Sequence, residues 1–203
     1  YESMPGGKHA TLQIDADGVR TESAWDALGN ELSAVVDPTG LQVRREATYD
    51  TRGYLLSQTD PNGLMTRFSV DGAGNATEWV DVDGRATDVE YDESGNPTRV
   101  EDPDGRVSRL GYDADGRLVS RVDARGQATN YTYDAPGNRL SETVTRTIDG
   151  VVRTLTTRFE YDALNRVTRT IDPLGQATAT SYNALGLVAA ATDALGRVTA
   201  FEY

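Results

Sequence analysis

Tyr112-Asp113-Ala114-Asp115-Gly116-Arg117-Leu118-Val119-Ser120-Arg121-Val122-Asp123-Ala124-Arg125-Gly126-Gln127-Ala128-Thr129-Asn130-Tyr131-Thr132-Tyr133 holds two chain reversals and two strands. In residues 113–116 and 123–126 an Asp can bond its own backbone two residues on, and a Gly supplies the positive φ that closes a hairpin. Between and after the reversals lie residues 117–122 and 127–133, of strand length and rich in Thr, Val, Leu, Arg and Tyr. Alternation across a strand predicts that Leu118, Ser120 and Val122 share a face with Thr129, Tyr131 and Tyr133. Arg117, Arg121, Asn130 and Thr132 are then expected on the opposite face.

Extended outward, the same unit covers the chain. Its aromatic recurs at Trp25, Tyr49, Tyr91, Tyr112, Tyr133, Tyr161, Tyr182 and Tyr203, with Val70 standing in once, in steps of 24, 21, 21, 21, 21, 28, 21 and 21 residues. The turn glycines that follow it are Gly29, Gly53, Gly74, Gly95, Gly116, Gly137 and Gly186, and Asn165 takes that place in the repeat of Tyr161. A second landmark, the Asp opening the other turn, falls at Asp37, Asp60, Asp81, Asp102, Asp123, Asp149, Asp172 and Asp193. A fixed period of this kind is the mark of a repeat architecture. No window of comparable length shows helical spacing of apolar residues. The fold class expected is all-β: antiparallel β-hairpin repeats forming a curved, spiralling sheet of about eighteen strands, with almost no helix.

The organisation predicted is an irregular N-terminal segment or incomplete repeat over residues 1–13, then about nine repeats over 14–203. The chain begins and ends inside a repeat, which reads as a piece of a longer protein and predicts an open arc with two unpaired edges. Seven extra residues between Tyr133 and Tyr161 centre on Ile148-Asp149-Gly150-Val151, a tight two-residue turn. A long hairpin over 139–161 is therefore expected to protrude from the sheet and to meet another part of the parent protein. Three extra residues between Trp25 and Tyr49 predict a bulge or a longer loop, with 37–41 read as an ordinary repeat turn.

Composition narrows the function. Apolar residues make up 37% of the chain, with two Met and three Phe, too few for a thick core. Thirty-two acidic against twenty basic residues leave a net charge of −12, which repels phosphate backbones and anionic lipid. Neither nucleic acid nor a membrane span is expected. With no Cys there is no disulfide, thiolate nucleophile or thiolate metal site.

His9 is the sole histidine, so a triad or zinc site lacks partners. The pairs Asp15/Asp17, Asp81/Asp83, Asp102/Asp104 and Asp113/Asp115 could suggest carboxylate chemistry or a calcium loop. In each the Gly comes too early for such a loop and no Glu closes it, so turn formation explains them. Tyr91, Tyr112, Tyr131 and Tyr133 could line a carbohydrate surface, but cross-strand stacking accounts for them without a ligand. Arg85, Arg106, Arg117, Arg139, Arg166 and Arg197 are expected to pair with Asp across strands. No catalytic, cofactor-binding or metal residues are expected, no cofactor is implied, and the chain reads as a non-enzyme.

Four stretches carry a family resemblance: Tyr112-Asp113-Ala114-Asp115-Gly116-Arg117-Leu118, Tyr49-Asp50-Thr51-Arg52-Gly53-Tyr54-Leu55, Tyr161-Asp162-Ala163-Leu164-Asn165-Arg166-Val167 and Asp193-Ala194-Leu195-Gly196-Arg197-Val198-Thr199. They resemble the YD repeats of Rhs (rearrangement hot spot) proteins, over almost the whole chain. The resemblance implies a segment of a β-cage, a hollow shell that in bacterial toxins encloses a toxic C-terminal domain delivered by secretion or injection. The partners so implied are flanking shell repeats, that C-terminal domain and secretion-machinery proteins, with the chain secreted, delivered or attached to the cell envelope. The alternative implied is a teneurin-like or wall-associated adhesive, carbohydrate-binding module. The shell-closing core motif with its self-cleaving aspartates is absent.

Overall fold

The computed structural model describes residues 2–4, 8–37, 40 and 42–203. Every regular element among them is a β-strand. The chain divides into two compact units, one up to Gly105 and one from Arg106. The first unit holds β1 (Glu2–Met4), β2 (Lys8–Ile14), β3 (Arg20–Trp25), β4 (Glu31–Val36), β5 (Val43–Tyr49), β6 (Leu55–Thr59), β7 (Met65–Val70), β8 (Ala76–Val80), β9 (Ala86–Tyr91) and β10 (Pro97–Glu101). The second holds β11 (Val107–Tyr112), β12 (Leu118–Val122), β13 (Ala128–Tyr133), β14 (Arg139–Ile148), β15 (Val151–Tyr161), β16 (Val167–Ile171), β17 (Ala177–Tyr182), β18 (Val188–Thr192) and β19 (Val198–Ala200). Within each unit every strand pairs antiparallel with the next in the chain. Neighbours in sequence are neighbours in space because connections of a few residues leave no other partner in reach.

Each unit is one layer thick. Ala34 (1% exposed) and Val89 (5%) are the only buried hydrophobic residues among those described. A sheet with no second layer cannot shelter both faces, so stability rests on the ladders and on what ties hairpin to hairpin.

The two turn types build different hairpins. Across the Asp-type corners the register runs without a break, as in Ser120↔Asn130, Arg121↔Thr129 and Val122↔Ala128. At every aromatic landmark from Trp25 to Tyr182 it shifts by one, as between Thr132 and Tyr133 or between Ser181 and Tyr182. Such a bulge leaves one residue unopposed, raises the local twist and re-aims the side chains beside it. At three bulges the unopposed residue is a Thr whose hydroxyl donates to the backbone opposite: Thr77 to Ser69 O (3.3 Å), Thr98 to Glu90 O (3.2 Å) and Thr168 to Glu160 O (3.2 Å).

This register corrects the face assignment. Opposed residues point to the same side, so Ser120 and Val122 lie with Asn130 and Ala128, and Arg121 lies with Thr129. A connection of five residues, 123–127, pairs even positions with even ones, which alternation within a single strand cannot reveal.

Residues 8–14 form β2, which pairs with β3 from His9↔Trp25 to Ile14↔Arg20. Pro38, Thr39 and Leu41 of the stretch read as an ordinary turn lie outside the described residues. Around them, Val36 pairs with Val43, so the connection has six residues in place of five, and β4 and β5 are each one residue longer than β6 and β7. The three-residue insertion is thus shared between loop and strands. In the long repeat, β14 and β15 have 10 and 11 residues where β12 and β13 have 5 and 6. Their connection shrinks to Asp149 and Gly150, both at positive φ (52° and 75°), the conformation of a type I′ turn.

Candidate functional site

The repeat landmarks converge on the corners and on the seams between hairpins. At its corner Asp113 uses all its polar atoms, with Oδ2 accepting from Arg117 Nε (2.8 Å). In the turn opened by Asp113, the backbone N–H of Asp113 donates to Arg117 O (3.0 Å) and its carbonyl accepts from Gly116 N (3.0 Å). Its Oδ1 accepts from Asp115 N (3.0 Å) and Arg117 N (2.9 Å). The reach to the second residue follows from Asp geometry. The reach to the fourth also locks the first residue of the returning strand. The same clamp recurs at Asp15, Asp60, Asp81, Asp123, Asp172 and Asp193. Asn183 makes it with an amide oxygen, to Leu185 N (2.9 Å) and Leu187 N (3.0 Å).

The corners of Asp134 and Asp162 vary the pattern. Pro136 has no N–H to give Asp134, and there Asn138 supplies two bonds, N to Oδ1 (2.7 Å) and Nδ2 to Oδ2 (2.9 Å). Asn165 holds the glycine conformation at φ 61°, and its Oδ1 accepts from Asn138 Nδ2 of the preceding corner (2.8 Å). Asn visits this region more readily than other side-chain-bearing residues.

At nine corners these hydrogen bonds favour the ionised carboxylate. Asp26, Asp71 and Asp134 are held below the usual carboxylate range first by the Asn side chain four residues on, and Asp162 by the Arg166 side chain. For Asp50, Asp60, Asp92, Asp113 and Asp193 the leading cause is the backbone N–H at that same position. Hydrogen bonds to the ionised form favour it.

The landmark tyrosines stitch the seams. Where two hairpins meet beside an aromatic corner the ladder stops short: β8 and β9 pair only from Glu78↔Asp88 to Val80↔Ala86. Across the remaining gap Tyr91 Oη donates to Ala76 O (2.8 Å). Tyr133 reaches Leu118 O (2.8 Å) and Tyr182 reaches Val167 O (2.9 Å), each spanning fifteen residues. Tyr49 to Glu31 O and Tyr161 to Arg139 O span 18 and 22, which is fifteen plus the local insertion. The hydroxyls of these tyrosines therefore bridge the gaps that the ladders leave. Trp25 does the equivalent with Nε1 to Thr11 Oγ1 (3.2 Å).

Val70 has no hydroxyl, and its seam is closed from the other side. Tyr54 Oη donates to Ala73 O (3.3 Å), and Arg52 Nη1 and Nη2 donate to Gly72 O and Asp71 O. The Tyr54 ring lies where a Cβ on Gly74 would sit, 2.3 Å from that position, so glycine is required there for space as well as for its φ of 94°. The sequence signal for this seam is the aromatic Tyr54 directly after the turn Gly53.

The arginines are also corrected. Arg117, Arg166 and Arg197 pair with the Asp of their own corner, Asp113 (2.8 Å), Asp162 (2.7 Å) and Asp193 (2.6 Å), and not across strands, because four residues of turn bring the two side chains together. Thus anchored, Arg117 and Arg166 lie over the next seam's rings, Tyr133 (5.2 Å) and Tyr182 (4.3 Å). Arg85 does cross to the neighbouring corner, at Asp104 (3.3 Å), and Arg139 pairs with Glu142 (3.0 Å) between the rings of Tyr131 and Phe159.

Among the described residues, no group of three or more His, Cys, Asp or Glu side chains is placed to hold a metal ion. His9 sits in β2 opposite Trp25. In the Asp pairs the second carboxylate is surface charge; Asp115 pairs with Arg117 (2.9 Å). No helix among the described residues is long and apolar enough to cross a membrane.

Clamped corners and stitched seams on a fixed period define a tandem β-hairpin repeat protein. The RHS Repeat family model matches residues 70–107, 112–152 and 145–177, just over half of the chain, and the chain belongs to that family. Among solved structures it is similar to the Photorhabdus luminescens Tc holotoxin pore carrying a TccC3 D651A mutation, at 16% identity and a TM-score of 0.58. That match covers 94% of this chain and 14% of the other. A similar match to the TcdB2–TccC3 complex has 16% identity, a TM-score of 0.56 and coverage of 92% and 14%. The chain therefore spans about a seventh of the proteins whose fold it shares. No curated protein sequence matches it.

Proposed function

We propose that this chain is a wall segment of a shell that encloses a toxin domain of the same parent protein until delivery. The observation that carries the reading is the single layer: each unit invests its hydrogen bonding in continuity between hairpins and almost nothing in an interior of its own. A barrier needs continuity in two dimensions, and the seam tyrosines and corner clamps supply it where the ladders stop. The likeness to Tc toxin structures supports the same reading. On this view the segment performs no catalysis, and any toxic activity belongs to the enclosed domain. Flanking repeats and that domain are its partners, and a bacterial secretion or injection route delivers the whole.

The test is protease protection in the full-length parent. The domain after the repeats should resist added protease while the shell is intact and become sensitive when the seams are opened by Tyr91→Phe, Tyr133→Phe and Tyr182→Phe together. Digestion of that domain in the intact protein at the rate of the isolated domain would rule out containment.

A further inference from the structure

The long hairpin outruns the sheet that carries it. β14 and β15 pair from Ser141↔Arg158 out to Ile148↔Val151. β13 accompanies β14 only as far as Ala128↔Thr145, and β16 accompanies β15 only from Arg158↔Ile171. Residues 146–148 and 151–153 therefore form a two-stranded finger paired only with itself, and below it residues 154–157 of β15 pair with β14 alone. A two-stranded hairpin by itself is marginally stable in water.

The finger carries features that lower its stability further. Arg146 and Arg153 stand directly opposite one another, both exposed and neither in an ion pair among the described residues. Like charges in that position are destabilising. They sit at the tip of a chain whose net charge is −12. Every second level faces the same side, so this pair lies between Val144↔Leu155 and Ile148↔Val151. Val151 and Val152 are 54% and 68% exposed. Along 151–157 the outer edge of β15, Val-Val-Arg-Thr-Leu-Thr-Thr, meets no strand among the described residues. An unpaired edge of β-formers is a template for a further strand.

We infer that the finger docks an extended acidic polypeptide segment, which adds as a strand along β15 and sets carboxylates beside Arg153, with Arg146 one strand further on the same face, and apolar side chains beside Val151 and Leu155. Main-chain pairing supplies affinity and the alternate side chains supply choice. Two arginines on directly opposed residues, with no ion-pair partner among the described residues, are complementary to closely spaced carboxylates. Strand addition along an open edge is available to a polypeptide backbone and not to nucleic acid or lipid.

The test uses the full chain and a fluorescein-labelled peptide of about ten residues alternating Glu with Val and Thr, with a Gln-for-Glu control peptide. Anisotropy should show the acidic peptide binding at least tenfold tighter than the control, with the advantage shrinking as salt rises. Hydrogen exchange should slow at residues 151–157 on binding. The double variant R146Q/R153Q should lose the tenfold preference, and R146K/R153K should keep most of it, which separates charge from any loss of fold. Equal binding of the two peptides, no binding, or protection elsewhere in the chain would overturn the inference. So would concentration-dependent self-association abolished by R146Q/R153Q, which would make a second copy the occupant.

Discussion

At the scale of single residues, the hydroxyl of a landmark tyrosine is separable from its ring. Tyr133→Phe keeps the ring under Arg117 and removes only the bond to Leu118 O, leaving a half-buried carbonyl without its donor. The expected cost is about 1 kcal/mol, read as a lower urea midpoint. The same change at Tyr203, whose side chain is 76% exposed, should leave the midpoint unmoved. Equal effects at both positions would mean that the seam bond contributes nothing. Asn165 offers a second isolated case. Asn165→Ala leaves a side chain at φ 61° without the bond to Asn138 and is expected to cost about 1 kcal/mol or more. Asn165→Gly restores the conformational freedom of the other corners and should cost less than the alanine.

At the scale of the hairpin, what the sequence made legible is what covalent spacing dictates. The Asp and Gly of each corner are four positions apart at most, so their reversal, the strands between them and the tight turn at Asp149-Gly150 could be read directly. The bulges could not, because a bulge changes which residues oppose one another without changing the 21-residue period. The face assignment of Ser120 and Val122 failed for a different reason: the five-residue corner 123–127, where the register is unbroken, sets which residues oppose one another. Seam bonds join residues fifteen apart on strands whose register was unknown, so the ring of Tyr133 was legible as a landmark and its hydroxyl's partner was not. The Arg117–Asp113 pair lay within reach of sequence reasoning, since the residue after the turn Gly is also the one its Asp clamps. Register further predicts where the hairpins yield first. Amides of 146–148 and 151–153, in the finger, should exchange with solvent faster than those of β13 and of the part of β14 that pairs with it. Uniform protection along β14 and β15 would show that the finger is covered in the free protein.

At the scale of the whole molecule, small identical devices act in parallel, and acid is the condition that addresses them together. Asp26, Asp50, Asp60, Asp71, Asp92, Asp113, Asp134, Asp162 and Asp193 have native pKa values below their unfolded ones, so the native state binds fewer protons than the unfolded state as pH falls into the ordinary Asp range, near 3.9. Their contribution is fully present above that range. It is lost as pH drops through the lowered native values. Because many corners share the shift, the urea midpoint should fall steeply between about pH 5 and about pH 2, with several protons taken up on unfolding. The chain itself shows how to remove the titration without removing the geometry: Asn183 makes both clamp bonds with a neutral amide. A variant carrying Asp60→Asn, Asp92→Asn and Asp113→Asn should fold at neutral pH with a midpoint close to the parent's, and lose less of it on acidification. If its acid dependence matches the parent's, the proton-linked stability lies in carboxylates other than those of the corners.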